Sequence, residues 1–367
     1  MTWESAMAPR LRSTAVLVVA AAASVILAAP ASAAPPTNPV TVVASGLDGP
    51  TGLSSWNGRV VVAETVTGRI ATGAPVSSKK LTTARRGFAA PTGVDRKYDT
   101  YYVVTGEAAE GAPLEGTSTL YTVRRATIRQ PIDLRAYELA NNPDGQVQFD
   151  ADGVPYDALS NPYSVLAGRG FDERVFVADA GANDVLVVDQ NGKVSTFFVP
   201  PLVTTGACAG VENDNPGVTG CDPVPTGLAW GPDGNLYVST LSAFAPGEGR
   251  VYVLDPFGGT VLGVISGFTA PTGVAVGADG SVYVSEALEG APAGEGPPTT
   301  DLDPATIGQV LRVDRQGRRT AAQVTMPLDL EVVDGQLYST AWSLAAQFGL
   351  RNRGEIVRID AAAFRPL

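Results

Sequence analysis

Short runs of about six residues, rich in Val, Leu and Tyr, recur along this chain, each bounded by Gly, Pro or Asp. Within a run, large apolar residues alternate with smaller or polar ones, which is the period of a strand and not of a helix. Residues 224–256 show the pattern in full. Pro225-Thr226-Gly227 opens a run through Leu228, Ala229 and Trp230, and Gly231-Pro232-Asp233-Gly234 turns it back through residues 235–239. A third run follows at 250–255. The turn has a mechanism: proline presets its backbone angle, aspartate bonds its own chain, and glycine accepts positive φ.

The same unit recurs six times. Its opening word stands at Pro50, Pro91, Pro225 and Pro271, with looser copies at Asn161-Pro162-Tyr163 and Met326-Pro327-Leu328-Asp329. The openings lie 41 to 71 residues apart, so the shorter spacings match four-stranded blades and the longer ones carry inserted loops. The expected fold is all-β: a six-bladed β-propeller in a single domain over residues 34–367. An orphan strand at 40–45 precedes the first unit, and the last unit stops after its third strand at Asp360. The N-terminal strand should therefore complete the last blade and close the ring. One helix is expected, at residues 131–142, capped by Asp133 and stopped by the Asn-Pro-Asp-Gly that follows. Residues 289–300 read as a mobile loop by composition.

The first 33 residues read as a secretory signal: Arg10 and Arg12, an apolar run at 15–29, and a small-residue cleavage pattern at Ala31-Ser32-Ala33. Met7 gives a more usual start to that segment than Met1. Export to an oxidising compartment suits a disulfide between Cys208 and Cys221, the chain's two cysteines, which share one Gly/Asn/Pro loop. No second apolar run is long enough to span a membrane. The product is expected to be extracellular and monomeric.

A net charge of −11 argues against nucleic acid and anionic membranes as partners, and is compatible with cationic ligands or divalent metal. The chain has no histidine, which removes Ser-His-Asp hydrolysis, Cys-His proteolysis and the common zinc sites. An enzyme here would work with carboxylates, lysine, tyrosine or a hard metal ion.

The connections between first and second strands are short, whereas the long insertions follow second strands or lead into new blades. In a propeller all of these insertions lie on one face, the top, which points to a binding surface there. Acidic residues close several second strands: Glu64, Glu107, Asp179 and Glu286. On the reading that second strands lie near the axis, these carboxylates ring the tunnel mouth, joined by Asn161 and Asp329 from blade openings. Glu64, Asp179 and Glu286 are then the expected metal ligands, with Ca2+ the candidate ion. The other reading is that each carboxylate accepts backbone N–H bonds and holds its blade opening. The glycine of each Pro-Thr-Gly is expected to serve a tight fit near a crowded axis.

AYELANNPDG (136–145), SNPYSVL (160–166), VFVADAGANDVLVVD (175–189) and the 224–256 unit resemble the ScyD/ScyE family of secreted, NHL-like propeller proteins. The resemblance covers roughly residues 40 to 360, and the order of the words is more specific than any one of them. It implies a propeller and export, with no settled activity and no catalytic residues to carry over. The chain departs from the family at Ser164, where glycine is usual. Two functions follow as expectations. The first is a secreted module binding a protein, glycan or small molecule through its top face. The second is a divalent-metal-dependent enzyme of the lactonase type, whose sequence motifs this chain does not match.

Overall fold

A computed structural model describes residues 40–75, 80–109, 111–125, 127–156, 159–213, 215–291 and 303–367. The expected signal segment and most of the 289–300 loop lie outside them. Six antiparallel sheets form a six-bladed propeller. Their inner strands are Pro50–Trp56, Pro91–Lys97, Pro162–Ala167, Pro225–Trp230, Pro271–Val276 and Leu330–Val333. These strands contact one another around the ring. The first strand of each unit is thus the axial one, and the second strand lies one step outward. This corrects the expectation that second strands line the axis. Burial does not rank them: Pro50–Leu53 and Val60–Glu64 are equally covered, since both lie inside a stack of sheets.

Closure is as the sequence implies. The strand Val40–Leu47 pairs antiparallel with Gly354–Ile359, from Val40 opposite Ile359 to Leu47 opposite Gly354. It becomes the outer strand of blade 6. Val43, Ala44 and Leu47 then pack with Leu53, Val60 and Val62 of blade 1 and with Tyr338 and Ile356 of blade 6. Burying a leucine such as Leu47 contributes about 2 kcal/mol. The core is not one central mass. It is six apolar layers, one between each neighbouring pair of blades.

The glycines of the Pro-Thr-Gly words sit where inner strands touch. A Cβ on Gly52 would lie 2.8 Å from the Cα of Gly93, and one on Gly227 would lie 2.9 Å from the Cα of Gly273. The threonines clasp neighbouring blades: Thr92 Oγ1 donates to the Pro162 carbonyl at 2.6 Å and Thr226 Oγ1 to that of Pro271 at 2.9 Å. The expected helix spans Leu134–Asn141, with Asp133 as its N-cap and Asn142 in the left-handed conformation at its end. It starts later than expected because Ile132 and Asp133 pair with Leu120 and Thr119 at the edge of blade 2. Cys208 and Cys221 are bonded, which closes their loop with a contribution of about 3 kcal/mol on chain-entropy grounds. The C-terminus, not foreseen in the sequence, lays Arg365–Pro366 against the outer strand of blade 5.

Candidate functional site

The second-strand carboxylates are latches. Buried Glu64 accepts the Asp48 N–H at 2.9 Å and Arg69 Nε at 2.5 Å. Glu286 accepts the Thr269 N–H and Gln309 Nε2, both at 2.6 Å. Asp179 accepts the Asn161 N–H and Ser160 Oγ at 2.6 Å, and the N–H groups of Gly181 and Ala182 at 3.2 Å. Each carboxylate thereby fixes the chain entering its own blade, in blades 1, 5 and 3. Burial pushes Asp179 up to about 6 despite four donors, and raises Glu286 as well. In blade 2 the corresponding position, opposite Pro91, is Thr105, and Glu107 lies beyond it. The backbone N–H of Glu107 donates to Asn161 Oδ1 at 3.2 Å. The structure does not gather Glu64, Asp179 and Glu286 into one site. Among the described residues, no group of three or more Asp, Glu, His or Cys side chains is arranged to hold a metal ion.

Aligning the six openings exposes a different constellation. The glycine position reads Gly52, Gly93, Ser164, Gly227, Gly273 and Asp329 around the ring. Two residues on, at strand period, stand Ser54, Asp95, Leu166, Ala229, Ala275 and Glu331. These residues line a central cavity of about 540 Å³, except that the glycines narrow its floor. Blades 6, 1 and 2 give it a wall of carboxylates and hydroxyls, and blades 3, 4 and 5 a mainly apolar wall, with Ser164 and Arg169 of blade 3 as its polar members. Its mouth is bordered by Trp56, at the end of its inner strand, and by Tyr98, Gly170, Pro232 and Ala278, which belong to the short connections between first and second strands. The cavity therefore opens on the face opposite the long insertions.

The polar wall is cross-linked between blades. Asp95 accepts Ser54 Oγ at 2.5 Å, the Arg96 N–H at 2.6 Å and the Ala167 N–H at 2.8 Å. Asp329 accepts the Leu53 N–H at 2.7 Å across the seam of the ring and the Leu330 N–H at 2.8 Å. Glu331 accepts Ser55 Oγ at 2.7 Å. Desolvation in the half-closed cup pushes Asp329 up to about 7 and Glu331 up to about 8, with the nearby Asp95 charge adding to both. Burial also raises Asp95, against its three donors. Near neutral pH Asp329 and Glu331 can therefore both donate and accept hydrogen bonds and transfer protons. Trp230 is held on the apolar wall by its Nε1–H, which donates to the Ala167 carbonyl at 2.9 Å. Of the expected site residues, Asp329 alone lies in this cavity. Asp95 and Glu331 were missed, although alignment of the repeats at the two axial positions would have found them.

No protein-family model and no curated protein sequence matches this chain. Solved structures do, at the level of fold. A gluconolactonase from Xanthomonas campestris is 12% identical, covers 88% of this chain and 89% of its own, and gives a TM-score of 0.52. A luciferin-regenerating enzyme is 10% identical over 89% of this chain and 97% of its own, also with a TM-score of 0.52. A regucalcin from Agrobacterium tumefaciens, described as calcium-binding, is 11% identical over 90% of this chain and 96% of its own, with a TM-score of 0.51. What these comparisons establish is the shared architecture of a six-bladed propeller.

Proposed function

We propose that this chain is a secreted, monomeric propeller that binds a small hydroxylated molecule of the sugar or sugar-lactone class in its central cup. The observation that carries this reading is the two-sided wall: Asp95, Asp329, Glu331, Ser54 and Ser55 face Leu166, Ala229 and Ala275 across about 540 Å³. That volume is ordinary for a small-molecule site, and a sugar ring has one polar edge and apolar faces to match. The disulfide is compatible with an extracellular setting, and among the described residues no helix is long and apolar enough to cross a membrane. Ligand-detected NMR with a panel of monosaccharides and aldonolactones tests it. Saturable binding of at least one member supports the reading, and a panel with no binder refutes it.

A second reading has its own support. Acidities near 7 and 8 at Asp329 and Glu331 suit proton transfer at neutral pH, and the lactonase-type fold makes lactone hydrolysis the reaction to try. In that reaction ionised Asp329 would take a proton from the attacking water, while protonated Glu331 would give one to the departing ring oxygen. Divalent metal, implied by some proteins of this fold, does not fit the cup. Both carboxylate oxygens of Asp95 and both of Asp329 are already engaged by backbone and hydroxyl donors. Proton release from gluconolactone, compared between the wild-type chain and Glu331→Gln, tests this activity.

The insertion-bearing face remains the proposed surface for a protein or glycan partner. It carries AYELANNPDG, one of the words that resemble the ScyD/ScyE family, and it is where the helix and the disulfide loop stand.

A further inference from the structure

A second acidic cluster lies on the insertion-bearing side of blade 3, away from the cup. Asp179 and Asp184 face each other across the hairpin that joins the second and third strands of that blade. The helix Leu134–Asn141 packs over it. Leu134 is buried with Val177, Leu186 and Val188, and Tyr137 Oη bonds with Thr196 Oγ1 at 2.9 Å. This docking buries Glu138 and brings Asp144 within hydrogen-bond range of Asn183, whose Nδ2 donates to Asp144 Oδ2 at 3.2 Å.

The four carboxylates are not equivalent. Asp179 has its four donors, and Asp144 also accepts the Gln146 N–H at 3.0 Å. Glu138 Oε1 accepts Gln148 Nε2 at 2.9 Å, but Oε2 has no partner. Asp184 is fully buried, and neither of its oxygens has a hydrogen-bond partner among the described residues. The charged groups that face Asp184 are Asp179, Glu138 and Asp144, all acidic, and they add to burial in raising its pKa well above the carboxylate range. An unpaired buried carboxylate beside like charges is among the costliest arrangements in a fold. A proton on Asp184 would relieve its charge. It would still leave the second Asp184 oxygen and Glu138 Oε2 without partners. A bound cation would both relieve the charge and give such oxygens a partner.

We propose that Asp184 and Glu138 are the protein ligands of a divalent cation of the calcium class, which ties the helical insertion to blade 3. The ligands are hard oxygens, and calcium accepts a few protein oxygens with carbonyls and water filling a shell of six to eight. Two carboxylates suffice for such a site, so it does not require three acidic side chains to converge. Asn142, whose Oδ1 also lacks a hydrogen-bond partner, lies in the same segment as Glu138. The ion belongs to the insertion and not to the cup, so the inference stands independently of the proposed ligand.

The test is calcium uptake by the purified chain after chelator treatment, measured by equilibrium dialysis and by melting. The expected result is one calcium per chain and a rise in Tm of about 4 °C at a hundredfold excess over Kd. Asp184→Asn and Glu138→Gln should each lose the bound ion and the rise. Glu138→Gln keeps a partner for Gln148, so it serves should Asp184→Asn fold poorly. The proposal is overturned if the wild-type chain takes up no calcium and its Tm ignores both calcium and chelator. It is equally overturned if both variants keep the ion.

Discussion

The carboxylates at the ends of second strands and those on the inner strands come from repeats of one unit, yet they do different work. Glu64, Asp179 and Glu286 are sealed among backbone N–H groups and side-chain donors, and their geometry is spent on holding blade entrances. Asp95, Asp329 and Glu331 stand only one strand nearer the axis. They too accept hydrogen bonds, but they also border an open cup. What separates a latch from a cup acid here is radial position. An acid one strand from the axis closes a turn, and an acid on the axial strand meets whatever enters the tunnel.

The largest effect should come from breaking a latch. Glu64→Ala leaves the Asp48 N–H and the Arg69 guanidinium without their buried partner, and should cost about 3 kcal/mol in urea unfolding. A loss below about 1 kcal/mol would mean that Glu64 is not structural. The next effect is on pH. Asp179, Asp329, Glu138 and Glu331 hold their protons to about 6, 7, 8 and 8 in the folded chain, whereas ordinary carboxylates release them near 4. Between those limits the folded chain binds more protons than the unfolded one, so stability falls as pH rises. In chelator, Tm should drop by on the order of 5 °C from pH 5 to pH 8. A flat or rising profile contradicts the raised pKa values. The smallest effect distinguishes the cup acids from the latches by sign. Glu331→Gln should stabilise by about 1 kcal/mol at pH 8, after allowance for solvent screening, and by almost nothing at pH 5. A loss of stability at pH 8 would class Glu331 with Glu64.

The fold was legible because Pro-Thr-Gly opens four of the six blades and obeys a local rule there. Thr92 and Thr226 clasp the next blade, and the glycines allow inner strands to touch. The helix was legible through Asp133 and the Asn-Pro-Asp-Gly stop. Radial order was not, since first and second strands are both buried and carry no hydrophobic difference between them. That one ambiguity drew attention to the second-strand carboxylates and away from those on the inner strands. Asp95 and Glu331 look like ordinary solvent-facing positions of alternating strands, and only the closed ring turns that side inward. Asp184 was invisible for a related reason. It opens an unremarkable strand, and its isolation depends on a helix inserted some forty residues earlier.

The most direct test of the cup as the functional site is a titration of tryptophan fluorescence with gluconolactone, since Trp56 and Trp230 line the cavity. Asp95→Ala and Glu331→Ala are compared with Glu107→Gln on the opposite face. The account predicts a saturable change in the wild-type chain, weakened at least about tenfold in the two cup variants and unchanged in Glu107→Gln. Binding that survives both cup substitutions, or that fails in Glu107→Gln, would contradict it and return the site to the insertion-bearing face.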